Sequence, residues 1–168
     1  MLGINLLFAG FALTLNGISY LKKVDDNAKA MANILVGVII AINAIFQVSG
    51  ATCHMTFGFG AAMWLFALNY FIIAAHILLK ATNWNVFGIY GLFAAVVSVV
   101  FALDTILGQG PWEMAYMWIM WAILWGQSFF AIIVASKWVD KFTPHILIIN
   151  GVFSTFVPGF LILLGIIL

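Results

Sequence analysis

Six long apolar runs joined by short connectors leave this chain few ways to fold. They cover Leu2–Leu21, Ala30–Gly50, Thr56–Leu79, Val86–Leu103, Met114–Ser136 and His145–Leu168. A helix needs about 20 mostly apolar residues to cross a bilayer, and each run comes close to or exceeds that length. No connector is long enough for a soluble domain, so residues 1–168 are expected to form a single six-helix transmembrane domain. The runs are continuous and lack the alternation of membrane barrel strands; the expected fold class is an all-α membrane protein. Only 7% of the residues are charged, against about a quarter in soluble domains. That excludes a soluble enzyme and a disordered tail. A net charge of +1 gives no reason to expect nucleic acid as a partner. Cys53, the single cysteine, cannot form an internal disulfide or a thiolate cluster.

The lysines orient the bundle. Lys22, Lys23 and Lys29 lie in the first connector, Lys80 in the third, Lys137 and Lys141 in the fifth; the second and fourth have none, and the chain has no arginine. The positive-inside rule then makes connectors one, three and five cytoplasmic and places both termini outside. With no basic residue ahead of it, the first run does not read as a cleaved signal peptide. Met1-Leu2-Gly3 does not fit a myristoylation site either. Lys22-Lys-Val-Asp25 returns as Lys137-Trp-Val-Asp140, with Lys80-Ala-Thr-Asn83 in the matching place between them; the leading lysines are 58 and then 57 residues apart. This spacing predicts three helical hairpins in a parallel, pseudo-threefold repeat, each with its tight turn on the cytoplasmic side. Short cytoplasmic connectors that independently collect Lys and Asp would give a similar pattern.

All eleven Asp, Glu and Lys residues fall in connectors or at span edges. Coupled transporters and pumps place ionisable groups within the bilayer, and ion channels need a charged ring or filter to replace hydration. His54, His76 and His145 are scattered without metal-ligand spacing. These absences argue against energised transport, ion conduction, cofactors and enzymatic chemistry, and leave passive movement of a neutral solute. Trp118, Trp121 and Trp125 share one helix face at i, i+3, i+7, Phe66 and Tyr70 are i, i+4 neighbours, and Asn5, Ala9, Ala12 and Asn16 form a stripe. The topology puts Asn16, Tyr70, Trp125 and Asn150 at a similar depth in the cytoplasmic half, with Trp118 and Trp121 further out. A slot of flat rings with amides near its inner mouth would pass a small planar amide edgewise. The competing reading makes the tryptophans packing or interfacial belt. Asn43 and Gln47 are expected in interhelical hydrogen bonds, and Gly3, Gly10, Gly17, Gly88, Gly91 and Gly151 in close packing. His76 and His145 are expected at the interface, and Asp104 and Glu113 in solvent.

Several segments resemble the urea and short-chain amide channels of bacterial inner membranes. Met1-Leu2-Gly3 through Asn16-Gly17-Ile18 and Leu21-Lys-Lys-Val-Asp25 are similar to that family's opening motif; Leu65-Phe66 with Tyr70, and Ala74-Ala75-His76, are similar to its third helix. Trp118-Ile-Met-Trp121-Ala-Ile-Leu-Trp125 with Phe129 resembles its aromatic fifth helix, and Lys141-Phe-Thr-Pro144, Gly151 and Phe156-Val-Pro158 its sixth. The resemblance implies a passive, bidirectional channel in the bacterial cytoplasmic membrane, embedded in lipid as a homohexamer, each protomer with its own pore. It implies urea or a short amide as solute, delivered to a cytoplasmic urease or amidase. Phe66, Tyr70, Trp121 and Trp125 would line the narrow region, completed by Leu2, Leu6, Ala9, Leu13 and Leu124, with Trp118 toward the outside. Two departures matter. The family's acid-gated member has a long, histidine-rich outer loop, whereas here His54 is the sole histidine of a short one, so no acid gate is expected. Asn150 stands where that member has a glutamate, keeping hydrogen-bonding capacity at the solute path without charge. Urea is the expected solute; a short-chain aliphatic amide, or a non-transporting scaffold subunit with lipid-facing tryptophans, is the alternative. An intramembrane enzyme would need catalytic groups that the spans lack.

Overall fold

Capping residues, which hydropathy does not register, set where two of the apolar runs begin as helices. The computed structural model describes residues 1–51 and 54–167, with backbone alone at 54–57; Cys53 and the side chain of His54 lie outside the described residues. The helices are α1 (Leu2–Leu21), α2 (Asp26–Ser49), α3 (His54–Leu78), α4 (Asn85–Leu107), α5 (Trp112–Ile132), α6 (Lys137–Ile149) and α7 (Val157–Leu163). Among the described residues there is no strand, and six spans are long and apolar enough to cross a membrane. Asp25 accepts the Ala28 N–H at 2.8 Å and Ser136 accepts the Val139 N–H at 3.4 Å. These N-caps satisfy donors that a helix start leaves free. The second and sixth spans therefore begin at Asp26 and Lys137, well before the apolar edges at Ala30 and His145.

The sixth span is the irregular one. It runs from Lys137 to Leu163 as α6, a π-helical segment over Asn150–Phe156, and α7. Pro158 has no N–H to return to the preceding turn, and the Val157 N–H reaches back to the Val152 carbonyl in a widened turn. The carbonyls loosened there are met by hydroxyls: Ser154 Oγ donates to Asn150 O at 2.8 Å, and Thr155 Oγ1 to Gly151 O at 2.6 Å. In hydrocarbon such backbone groups must find partners within the protein.

Spans adjacent in the chain touch, and the sixth packs along α1 to close a ring. Packing is tightest between α2 and α3, α4 and α5, and α1 and the sixth span; the pairs joined by lysine-bearing connectors touch more sparsely. Glycine explains the α1 pairing. A Cβ at Gly3 would sit 2.8 Å from Gly159 O, at Gly10 2.7 Å from Gly151 O, and at Gly17 2.9 Å from Pro144 O. The heptad-spaced glycines thus let two antiparallel backbones meet, as small-residue stripes do in membranes. On the outside of the ring Phe8, Phe11, Leu35, Phe46, Val100, Phe153 and Phe160 are exposed. Polar Asn16, Asn33, Ser98 and Thr155 are buried within, an arrangement suited to lipid as solvent.

Candidate functional site

Trp118, Trp121 and Trp125 each expose 2% or less of their surface, because α4 presents glycine where α5 leans on it. A Cβ at Gly91 would lie 2.6 Å from the Trp125 carbonyl oxygen, and one at Gly88 2.8 Å from Ile133. The indole stripe is thereby pressed toward the ring axis. Phe66 from α3 meets it: its ring centroid lies 4.9 Å from Trp121, nearly perpendicular, and 4.8 Å from Trp125. Trp118 stands edge-on to Trp121 at 4.8 Å and stacks on Phe101 of α4 at 4.7 Å. Edge-to-face and offset contacts suit the aromatic quadrupole, so each ring is held by at least one other. Tyr70 is fully buried, and its hydroxyl donates to the Ala9 carbonyl at 3.0 Å, tying α3 to α1.

Two chambers flank these rings. The one at the end holding Met1 is narrow, with a cavity volume of about 20 Å³, room for about one water; Leu2, Asn5, Leu6, Ala9, Phe66, Trp118 and Trp121 are on its wall, with Ile40, Phe59, Met63 and Met114. The chamber at the lysine-bearing end is larger, about 360 Å³, and its wall includes Asn16, Ser19, Lys29, Gln127, Ser128, Asp140 and Thr143. Leu13, Tyr70, Leu124 and Trp125 belong to neither wall; all four are buried in the waist between them. The Trp121 Nε1–H is the one buried side-chain polar group without a hydrogen-bond partner among the described residues.

Apart from Lys29 and Asp140, the polar groups elsewhere on the walls are neutral and mostly paired. Asn16 and Asn33 exchange amide hydrogen bonds, each 2.9 Å, and Asn33 also donates to Lys29 O. Thr143 Oγ1 donates to Gln127 Oε1 at 2.7 Å, and Gln127 Nε2 to Ser128 Oγ at 3.1 Å. The charged residues on these walls, Lys29 and Asp140, both belong to the lysine-end chamber. At the opposite end Asn43 Nδ2 donates to Asn5 Oδ1, joining α2 to α1. His76 is held between the carbonyls of Ile72 and Asn83 and stacks on Trp84, while His145 is exposed. No three His, Cys, Asp or Glu among the described residues are placed to hold a metal.

Ten of the residues expected at the solute path thus sit on one chamber wall or in the waist. Asn150 lies apart. It is buried within the π-helical segment, its amide donating to Ile146 O at 3.1 Å and accepting from Ser154 Oγ at 3.0 Å, and it borders neither chamber. Asn5 had a signal, its place on the Asn16 stripe. Ile40, Met63 and Met114 had none, since aliphatic residues on other spans become wall only through tertiary packing.

The arrangement sets a nearly apolar and a polar chamber on either side of aromatic rings that hold a buried donor, the Trp121 N–H, without a partner among the described residues. The comparisons agree with that capacity. The Helicobacter pylori protein described as an acid-activated urea channel is 30% identical, over 96% of this chain and 97% of its own. A Mycolicibacterium smegmatis protein described as a putative amidate substrates transporter is 22% identical, over 97% and 76%. The crystal structure of the Helicobacter pylori urea channel superposes with a TM-score of 0.87 at 28% identity, covering 100% of both chains. A cryo-electron microscopy structure of that channel in a closed state gives 0.85 over 98% of both. The model of the AmiS/UreI family of transporters matches residues 1–166, and the chain belongs to that family.

Proposed function

We propose that this protein is a passive, bidirectional urea channel of the bacterial cytoplasmic membrane that works without an acid trigger. Its lysine-bearing end faces the cytoplasm and both termini face outside, as the connector charges require. The observation that carries the reading is the unpartnered Trp121 Nε1–H in a ring-walled constriction. An amide stripped of water without a replacement hydrogen bond loses roughly 2–7 kcal/mol. The indole N–H offers a carbonyl a partner at the narrowest stretch, between Phe66 and the tryptophans. Leu2, Leu6, Ala9, Leu13 and Leu124 complete an apolar wall that a flat molecule can pass edgewise; Trp118 guards the outer side, and the Tyr70 hydroxyl is occupied by Ala9. Asn150 enters this reading as a support of the sixth span rather than as a solute ligand.

Urea is preferred over a short aliphatic amide because of the Lys-x-Val-Asp and Lys-Phe-Thr-Pro motifs and the urea-channel relative. The amide reading is favoured instead by the relative described as an amidate transporter. In the membrane the chain assembles as a homohexamer and supplies a cytoplasmic urease or amidase. Osmotic reswelling of vesicles holding the purified chain, timed with urea, acetamide, glycerol and water, tests this. Urea permeation well above empty vesicles is expected. Faster acetamide than urea would favour the amide reading, and no solute above background would favour a scaffold.

A further inference from the structure

Outside the aromatic constriction, one polar side chain on the outer chamber wall has no role in the account so far. Asn5 is 4% exposed and shares that wall with Trp121. Its Oδ1 accepts from Asn43 Nδ2 at 2.7 Å, and its Nδ2 donates to Met63 Sδ at 2.9 Å. A thioether sulfur can only accept, so Met63 fixes which end of the amide faces it, and the donor from Asn43 fixes the other. A carboxamide carries two N–H groups and two oxygen lone pairs. After these two contacts one of each is uncommitted.

We propose that Asn5 is a specificity-determining residue, taking a solute N–H at its oxygen while Trp121 holds the solute carbonyl. The assignment rests on the urea-channel reading and extends it to a residue in front of the constriction. The wall, Asn5 and Trp121 included, exposes almost wholly apolar surface at rest, so a solute leaving water there loses its hydrogen bonds unless these two side chains turn their polar groups toward it. Urea places N–H groups on both sides of its carbonyl and suits a donor and an acceptor set around one chamber. Glycerol has no such planar pairing. Asn43 and Met63 are positioning residues, acting through the orientation of the Asn5 amide.

A structural alternative exists, in which the Asn5–Asn43 bond only fastens α1 to α2. The two roles separate in vesicles holding wild type, Asn5→Leu, Asn43→Leu and the double variant, with urea kept dilute. Loss of one solute hydrogen bond predicts about a fivefold fall in urea flux for Asn5→Leu, with glycerol and water little moved. Asn43→Leu leaves the Asn5 amide in place but loosely held, and lowers urea flux by about twofold on the same scale. Equal losses in both single variants and the double, shared by every solute, would identify a fastening role and overturn the assignment. If Asn5→Leu fails to assemble, wild type labelled at asparagine nitrogen supplies the readout. Its Asn5 side-chain amide resonance must move with added urea, and a stationary resonance overturns the assignment. A wild-type chain without urea flux would overturn the channel reading itself, a result distinct from either of these.

Discussion

Replacing Trp121 with phenylalanine separates hydrogen bonding from width in the constriction. Phenylalanine keeps an aromatic ring between Phe66 and Trp118 but lacks the indole N–H, the buried donor without a partner. Forfeiting one hydrogen bond at the tightest point raises the urea barrier by about 1–1.5 kcal/mol, a loss of roughly five- to twelvefold in flux. The smaller ring also opens the 4.9 Å contact with Phe66 and the 4.8 Å contact with Trp118, so width alone would speed every solute. The two effects have opposite signs for urea, whereas glycerol, with no carbonyl to be held there, responds chiefly to the width. Stability is the wrong readout, because relief of an unsatisfied buried donor and creation of a cavity each amount to roughly 1–3 kcal/mol and oppose one another. Stopped-flow light scattering on proteoliposomes should find urea slowed and glycerol unchanged or faster, lowering the ratio of urea to glycerol permeability. Urea and glycerol rising together would refute the claim that the indole N–H serves the solute.

Trp125→Ala removes the ring 4.8 Å from Phe66 and should blunt discrimination between urea and glycerol; unchanged flux and selectivity in the same vesicles would count against the pore assignment. Urea flux should stay nearly flat from neutral to mildly acidic pH, because no acid, lysine or histidine lies in the described walls of the waist. A steep rise on acidification, measured by stopped flow across that range, would make His54 the first suspect. Gly10→Ala puts a methyl 2.7 Å from both Gly151 O and the Phe156 backbone nitrogen, and overpacking of this kind costs about 1–3 kcal/mol or more. Its thermal melting in detergent should fall well below wild type. Gly126→Ala, whose new methyl would meet Ala95 at 3.7 Å, should melt as wild type does.

Features carried by one helix were legible in the sequence; features made by two helices were not. The spacing of Trp118, Trp121 and Trp125 places them on one stripe wherever α5 packs, and all three are buried there. Nothing local in Phe101 announces that it stacks on Trp118, or in Asn33 that it will pair with Asn16. Those partners lie on other spans, brought opposite by the ring closure. The heptad glycines marked a close approach of α1, but its counterpart could be identified only once Gly151 and Gly159 were seen opposite them. Helix ends went wrong where a polar first turn, such as the one after Ser136, belonged to the span that hydropathy had excluded. The π-helical segment had a signal in Pro158 and the hydroxyls of Ser154 and Thr155, yet a proline in a span fits a kink as well as a widened turn. That ambiguity is why Asn150 could be matched by position while its hydrogen bonds within the widened turn could not be foreseen.

A single apolar constriction can reject ions and admit an amide because the two penalties differ in scale. Transferring an isolated ion into a low-dielectric wall costs tens of kcal/mol in the limit of no compensation, and a neutral amide only roughly 2–7. Two hydrogen bonds, from Trp121 and Asn5 on this reading, can offset much of the second figure and almost none of the first. Ion rejection therefore needs no dedicated filter, and amide passage needs only a donor and an acceptor near the narrowest rings. Adding a charge to the waist would reverse this balance, attracting counter-ions and holding solute too long. The Lys29 and Asp140 side chains stand instead on the wider chamber wall, where water reaches them. With no acid, lysine or histidine among the described residues of the waist, no group there links urea to a second gradient on the proposed reading. On that reading, net flow would follow urea alone, and would run inward for as long as an enzyme on the cytoplasmic side consumed it.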